Sequence, residues 1–146
     1  MIGATEGVSK MMNEKPELDA DDLGVESTIE YILIEHTDIQ ECVVVHFRDG
    51  SPFAFLVVKD GATTPPEDII KQATSMVLER LGDTANFSRA LVVSRLPKAR
   101  SGKILRFTLQ KIIDKGQAIA PSIIDDISVL PEITAALKAH GYLIHP

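Results

Sequence analysis

The sequence predicts an α+β domain: a small two-layer arrangement with a three-stranded, mainly antiparallel sheet and helices packed on it. Three observations carry the prediction. The chain has 146 residues, 45% of them hydrophobic and 25% charged, which is the size and balance of one domain with its own core. Helical and strand periodicities alternate in the order helix, strand, strand, helix, strand, helix, helix, without internal repeats. An Asp-Gly pair separates the first two strand candidates, as in a hairpin.

Residues 1–26 lack sustained periodicity and read as a lead-in, so the domain is placed at 27–146. Ser27 or Thr28 offers an N-cap oxygen, and Ile29, Ile32, Leu33 and His36 fall on one face of a helix. Glu41 to Phe47 and Pro52 to Lys59 form the hairpin around Arg48-Asp49-Gly50-Ser51. Thr63 or Thr64, followed by Pro65-Pro66-Glu67-Asp68, opens a second helix whose apolar stripe runs from Ile69 to Leu81 and stops at Gly82. A third strand is expected at Arg89 to Arg95. Leu96 to Lys103 contains Pro97 and Gly102 and is irregular, leading into a helix from Ile104 to about Asp114. A last helix spans Leu130 to His140.

Composition narrows the function. At this length folding removes roughly two-thirds of the unfolded chain's surface from water, so neither a disulfide nor a structural metal is required. Cys42 is the single cysteine, and His36, His46, His140 and His145 have no metal-ligand or triad spacing, so no metal site and a reducing, cytoplasmic location are expected. Apolar runs such as Phe53 to Val58 fall far short of the ~20 residues a bilayer demands, and residues 1–10 carry no leader pattern. No membrane association is expected.

Charge is unevenly spread beneath a net value of -6. Glu14 to Glu41 holds ten carboxylates against one basic residue, Lys15, whereas Arg95 to Ile113 holds Arg95, Lys98, Arg100, Lys103, Arg106 and Lys111 with no acid. Net acidity argues against nucleic-acid binding. The cationic segment is either a solvated basic helix or a place where one defined anion is met.

Within it, a strand delivers the chain to a turn, Gly102 permits an otherwise forbidden backbone, and Lys103 is expected at the start of the next helix. An ammonium beside free N–H groups at the positive end of a dipole suits phosphate or carboxylate. The phosphate-loop pattern itself fails, because no glycine lies five residues before Gly102 and Ile104 stands where a hydroxyl is needed.

Leu96-Pro97-Lys98-Ala99-Arg100-Ser101-Gly102-Lys103-Ile104-Leu105-Arg106 resembles the closing signature of AMP-forming acyl-CoA synthetases, typically Pro-Lys-Thr-Arg-Ser-Gly-Lys-Ile-hydrophobic-Arg, with Ala99 in place of Thr. Ile29-Glu30, His36, Glu41 and Val43-Val44-Val45 are similar to the helix and strand after that family's hinge. Ile124-Asp125-Asp126, Val129 and Pro131-Glu132-Ile133 are similar to the tail of the acetyl- and propionyl-CoA branch. The resemblance covers roughly residues 27–140 and only the family's small C-terminal domain.

It implies that Lys103 is the catalytic lysine of carboxylate adenylation, with Arg100, Ser101, Gly102 and Arg106 as nucleotide- or phosphate-binding positions. It implies ATP and CoA as ligands of the complete enzyme, Mg2+ arriving with ATP and not held by this domain, and none of them bound tightly by the chain alone. The implied partner is a large N-terminal adenylation domain, in cis or in trans, against which the small domain rotates between adenylation and thioester formation. The family's Gly-Arg-x-Asp-Asp hinge and following Gly-x-Arg loop correspond to Glu17 to Val25, where Asp21 and Asp22 match the paired acids as hinge candidates but the Gly-Arg and Gly-x-Arg elements are missing. An alternative is a non-catalytic regulatory or interaction module derived from that domain, with Lys103 as a target of a protein lysine acetyltransferase, since acetylation removes its charge.

Overall fold

The computed structural model describes residues 24–143. Helix α1 (Val25–Leu33) begins two residues ahead of Ser27, and its N-cap is Gly24 with no side-chain cap. The Thr28 hydroxyl instead donates back to the Gly24 carbonyl at 3.3 Å. Ile29, Ile32 and Leu33 point inward, and His36 follows them into the interior. There its Nε2 lies 2.6 Å from Gln72 Oε1, and its Nδ1 accepts the Asp38 N–H at 3.0 Å.

Strands β1 (Ile39–His46) and β2 (Pro52–Val58) pair antiparallel from Ile39↔Val58 to His46↔Pro52, with a register shift between Ile39 and Glu41. Their turn closes through Phe47 N–H to Ser51 O at 2.7 Å, with Gly50 at φ +87°. A glycine in that position is the usual solution for a short hairpin loop. Helix α2 (Pro66–Leu81) starts with Pro66 in its first turn and Pro65 as N-cap, so neither Thr63 nor Thr64 caps it. Strand β3 (Arg89–Val92) is shorter than the sequence suggests, because only Val93 N–H continues to β2, meeting Leu56 O at 2.9 Å. Helix α3 (Arg106–Lys115) begins two residues after Ile104 and ends at Gly116, φ +76°. Helix α4 (Val129–Ala139) closes the described chain.

The sheet order is β1-β2-β3, with β2 and β3 parallel from Phe53↔Arg89 to Leu56↔Val92, so the sheet is mixed. The α+β class holds, but the layering differs from the two layers expected. Val43, Val45, Phe53, Phe55 and Leu91 face a core completed by Leu109, Ile112 and Ile113 of α3 and Leu130, Ile133 and Leu137 of α4. Val44, Ala54, Leu56 and Ala90 face a second core completed by α1 and by Ile69, Ala73 and Val77 of α2. Helices therefore cover both faces. This explains why Pro-Phe-Ala-Phe-Leu-Val-Val of β2 shows no alternation: a central strand covered on both sides has no solvent face. Among the described residues, no helix is long and apolar enough to cross a membrane.

Candidate functional site

The chain leaves β3 through buried Leu96 and makes a tight excursion before α3. Its rising limb carries Lys98 and Ala99 and its falling limb Lys103 and Ile104. Lys98 and Ile104 form an antiparallel bridge, and Ala99 N–H donates to Lys103 O at 2.8 Å. Gly102 N–H donates to Ala99 O at 2.8 Å, and Gly102 adopts φ +94°. A Cβ there would meet no atom within 4 Å, so the glycine is required by backbone conformation rather than by space. Leu105 N–H anchors the falling limb on Pro97 O at 2.9 Å.

A later segment braces the rising limb. Ala99 pairs with Ile124, Arg100 N–H donates to Ile123 O at 3.0 Å, and Asp125 N–H donates to Lys98 O at 2.8 Å. That segment is fixed in turn by Arg95, whose guanidinium reaches Asp126 Oδ2 at 2.7 Å, Glu132 Oε2 at 2.7 Å and Ser128 Oγ at 2.8 Å. The Ser128 hydroxyl, then Arg95, hold the Asp126 carboxyl down at about 2.

Arg100, Ser101, Gly102 and Lys103 are all exposed at the tip of this excursion. Lys103 thus stands on the loop, three residues ahead of α3, rather than at the helix start. Lys98 and Arg106 are instead part-buried and paired. Lys98 is half-buried with Nζ 2.5 Å from Glu41 Oε2. Arg106 lies on α3 with Nη1 2.5 Å from Glu30 Oε2 and 2.6 Å from the Val44 carbonyl. Among the described residues, neither Arg100 nor Lys103 has a side-chain hydrogen bond or ion pair. Within the cationic segment Arg95, Lys98 and Arg106 are therefore paired with carboxylates, Lys111 lies 5.2 Å over the Phe107 ring, and Arg100 and Lys103 stand at the tip with no ion pair among the described residues. No group of three or more His, Cys, Asp or Glu among the described residues is placed to hold a metal ion. Asp21 and Asp22 lie outside the described residues.

Nothing in the local sequence marks Glu30 and Glu41 as partners of the signature cations, or Ile123 to Asp125 as the brace of the rising limb. The one signal available was the charge segregation itself: an acid-only stretch and a base-only stretch in one compact domain are driven to meet.

The chain belongs to the AMP-binding enzyme C-terminal domain family, whose match spans residues 28–103. An uncharacterised protein of Pseudomonas aeruginosa is 44% identical over 108 residues, covering 71% of this chain and 17% of its own length. A mitochondrial short-chain acyl-CoA synthetase, family member B, of Dictyostelium discoideum is 37% identical over 123 residues, covering 82% of this chain and 18% of its own length. Among solved structures, an acyl-CoA synthetase of Brucella canis superposes with a TM-score of 0.55 at 30% identity, covering 63% of this chain and 18% of that one. The chain spans less than a fifth of the length of these relatives.

Proposed function

We infer that the chain acts as the lysine-bearing C-terminal domain of an AMP-forming short-chain acyl-CoA synthetase, completing carboxylate adenylation when set against a large N-terminal domain that holds ATP and the acid. The observation that carries the reading is the loop tip, where Lys103 is exposed beside Arg100 and has no partner among the described residues. In adenylation a carboxylate oxygen attacks the α-phosphorus of ATP. The new C–O–P linkage forms as the bond to the β-phosphate breaks, and pyrophosphate leaves. Two anions approach and charge grows on the phosphoryl oxygens, so an ammonium reaching both lowers the barrier without exchanging a proton. Arg100 supplies a second cation, the Ser101 hydroxyl a donor, and Gly102 the turn that lifts Lys103 clear of the fold.

In the complete enzyme Mg2+ accompanies ATP. A second step would pass the acyl group to the CoA sulfur, a C–S bond forming as the acyl C–O bond breaks and AMP leaves with that bond's electron pair and one former carboxylate oxygen. Asp21 and Asp22 serve as hinge candidates for the rotation between the steps. The lone, half-buried thiol fits a reducing, cytoplasmic setting.

The test is acetate- or propionate-dependent pyrophosphate exchange, with the chain mixed with or joined to the large domain of a short-chain acyl-CoA synthetase. The chain alone should give background. Pairing should restore exchange, and Lys103→Ala should lower it by about 10²–10³. No gain on pairing, with both parts folded by circular dichroism, defeats the reading. The exposure of Lys103 equally suits a protein lysine acetyltransferase. Incubation with one and acetyl-CoA should then place the modification on Lys103 by mass spectrometry, and acetylation only elsewhere excludes that role.

A further inference from the structure

Four charged residues far apart in sequence meet at the base of the lysine loop. Glu30, on the face of the sheet covered by α1, reaches across the outer edge of β1. Its Oε2 accepts Val44 N–H at 2.8 Å and Arg106 Nη1 at 2.5 Å, while its Oε1 accepts Arg106 Nη2 at 3.2 Å. Arg106 closes the ring by donating to Val44 O at 2.6 Å. The outer N–H and C=O of Val44 are thus satisfied by two side chains in place of a further strand. Arg106 is also the first residue of α3, where the helix dipole disfavours a cation, so Glu30 compensates a charge that the helix would otherwise repel. On the opposite limb, Lys98 is tied to Glu41, which follows the register shift of β1. Such irregularities re-aim side chains.

We propose that Glu30–Arg106 and Glu41–Lys98 are two struts, one per limb, that position the loop tip, and that Arg106 works as a positioning residue on Glu30 rather than as a phosphate ligand. The limbs are the two segments that carry Arg100 and Lys103: Leu105, hydrogen-bonded to Pro97, immediately precedes Arg106, and Lys98 immediately precedes Ala99, hydrogen-bonded to Lys103. Cutting either strut loosens the tip while leaving both cores intact. The part of this proposal that concerns catalysis rests on the adenylation reading; the part that concerns the loop does not.

Two measurements test it. In the chain alone, amide hydrogen exchange of Ala99, Gly102 and Leu105 should accelerate by about tenfold in Glu30→Gln and in Glu41→Gln, with Phe55 and Leu56 of β2 unchanged. No acceleration at the loop, or equal acceleration at β2, overturns the struts. Should Glu30→Gln fail to fold, Glu41→Gln decides by the same criterion. In the paired enzyme, Glu30→Gln and Arg106→Ala should each lower the kcat of pyrophosphate exchange by about tenfold or more, with the KM for ATP unchanged and the double variant no worse than the single ones. A raised KM for ATP in Arg106→Ala, with Glu30→Gln at wild-type rates, makes Arg106 a phosphate ligand and sinks the assignment. Lys103→Ala run alongside separates the two ideas: full exchange in that variant defeats the adenylation reading, whereas the loop-exchange result stands or falls by itself.

Discussion

At the scale of single residues, the chemistry depends on which side chains are neutralised. The irregular course of the chain from Leu96 to Gly102 was legible in the sequence through Pro97 and Gly102, although Lys103 was expected at the helix start and lies on the loop. What faces Arg106 was not legible, since Glu30 lies 76 positions away and only the fold joins them. Cys42 shows the same dependence on surroundings. Burial above all, with the Glu30 charge adding and Arg106 opposing, pushes its thiol up to about 12. The thiolate is the reactive form, so alkylation of Cys42 by iodoacetamide at pH 8 should be at least tenfold slower than that of a free cysteine, as read by mass spectrometry. A proton held more tightly in the folded state stabilises the fold below the unfolded value and is lost as pH rises. The wild type should therefore lose stability between the ordinary 9.0 and about 12, and Cys42→Ala should lose less over that window in denaturant melts.

At the scale of elements, the positions of helices and strands followed from periodicity, while their ends did not. α1 starts at Val25 because Gly24 can cap with backbone alone, and α3 starts late because Ile104 and Leu105 are held by Lys98 and Pro97. The parallel pairing of β3 and the double covering of the sheet were hidden because a run such as β2 has no alternation to read. Its burial gives a direct prediction: Phe55→Ala, fully buried between α3, α4 and its neighbours, should cost about 3–5 kcal/mol in urea unfolding. Ile119→Ser, 69% exposed, should fall within about 0.5 kcal/mol of wild type. The α4 anchor has an acid signature. The Ser128 hydroxyl and then Arg95 depress Asp126 to about 2 from 3.8, so its stabilisation is complete above pH 3.8 and disappears as pH falls toward 2. Asp126→Asn should flatten that part of the acid unfolding curve followed by circular dichroism.

At the scale of the whole molecule, the segregated charges of the sequence partly rejoin in the fold, with Glu30 and Glu41 of the acidic stretch holding Arg106 and Lys98 of the basic one. Arg100 and Lys103 are left without an ion pair among the described residues, at an exposed tip. The family match ends at Lys103, yet α3, α4 and the Ile124 bridge all come later and supply the helical side of one core and the brace of the rising limb. Residues 28–103 made by themselves should bare Phe53 and Phe55 and aggregate, by light scattering, where the 146-residue chain stays monodisperse. A chimera exchanging lysine loops between relatives has the same requirement. Its donor segment must run from β3 through α4, because a graft that stops at the lysine would seat one protein's loop on another's scaffolding.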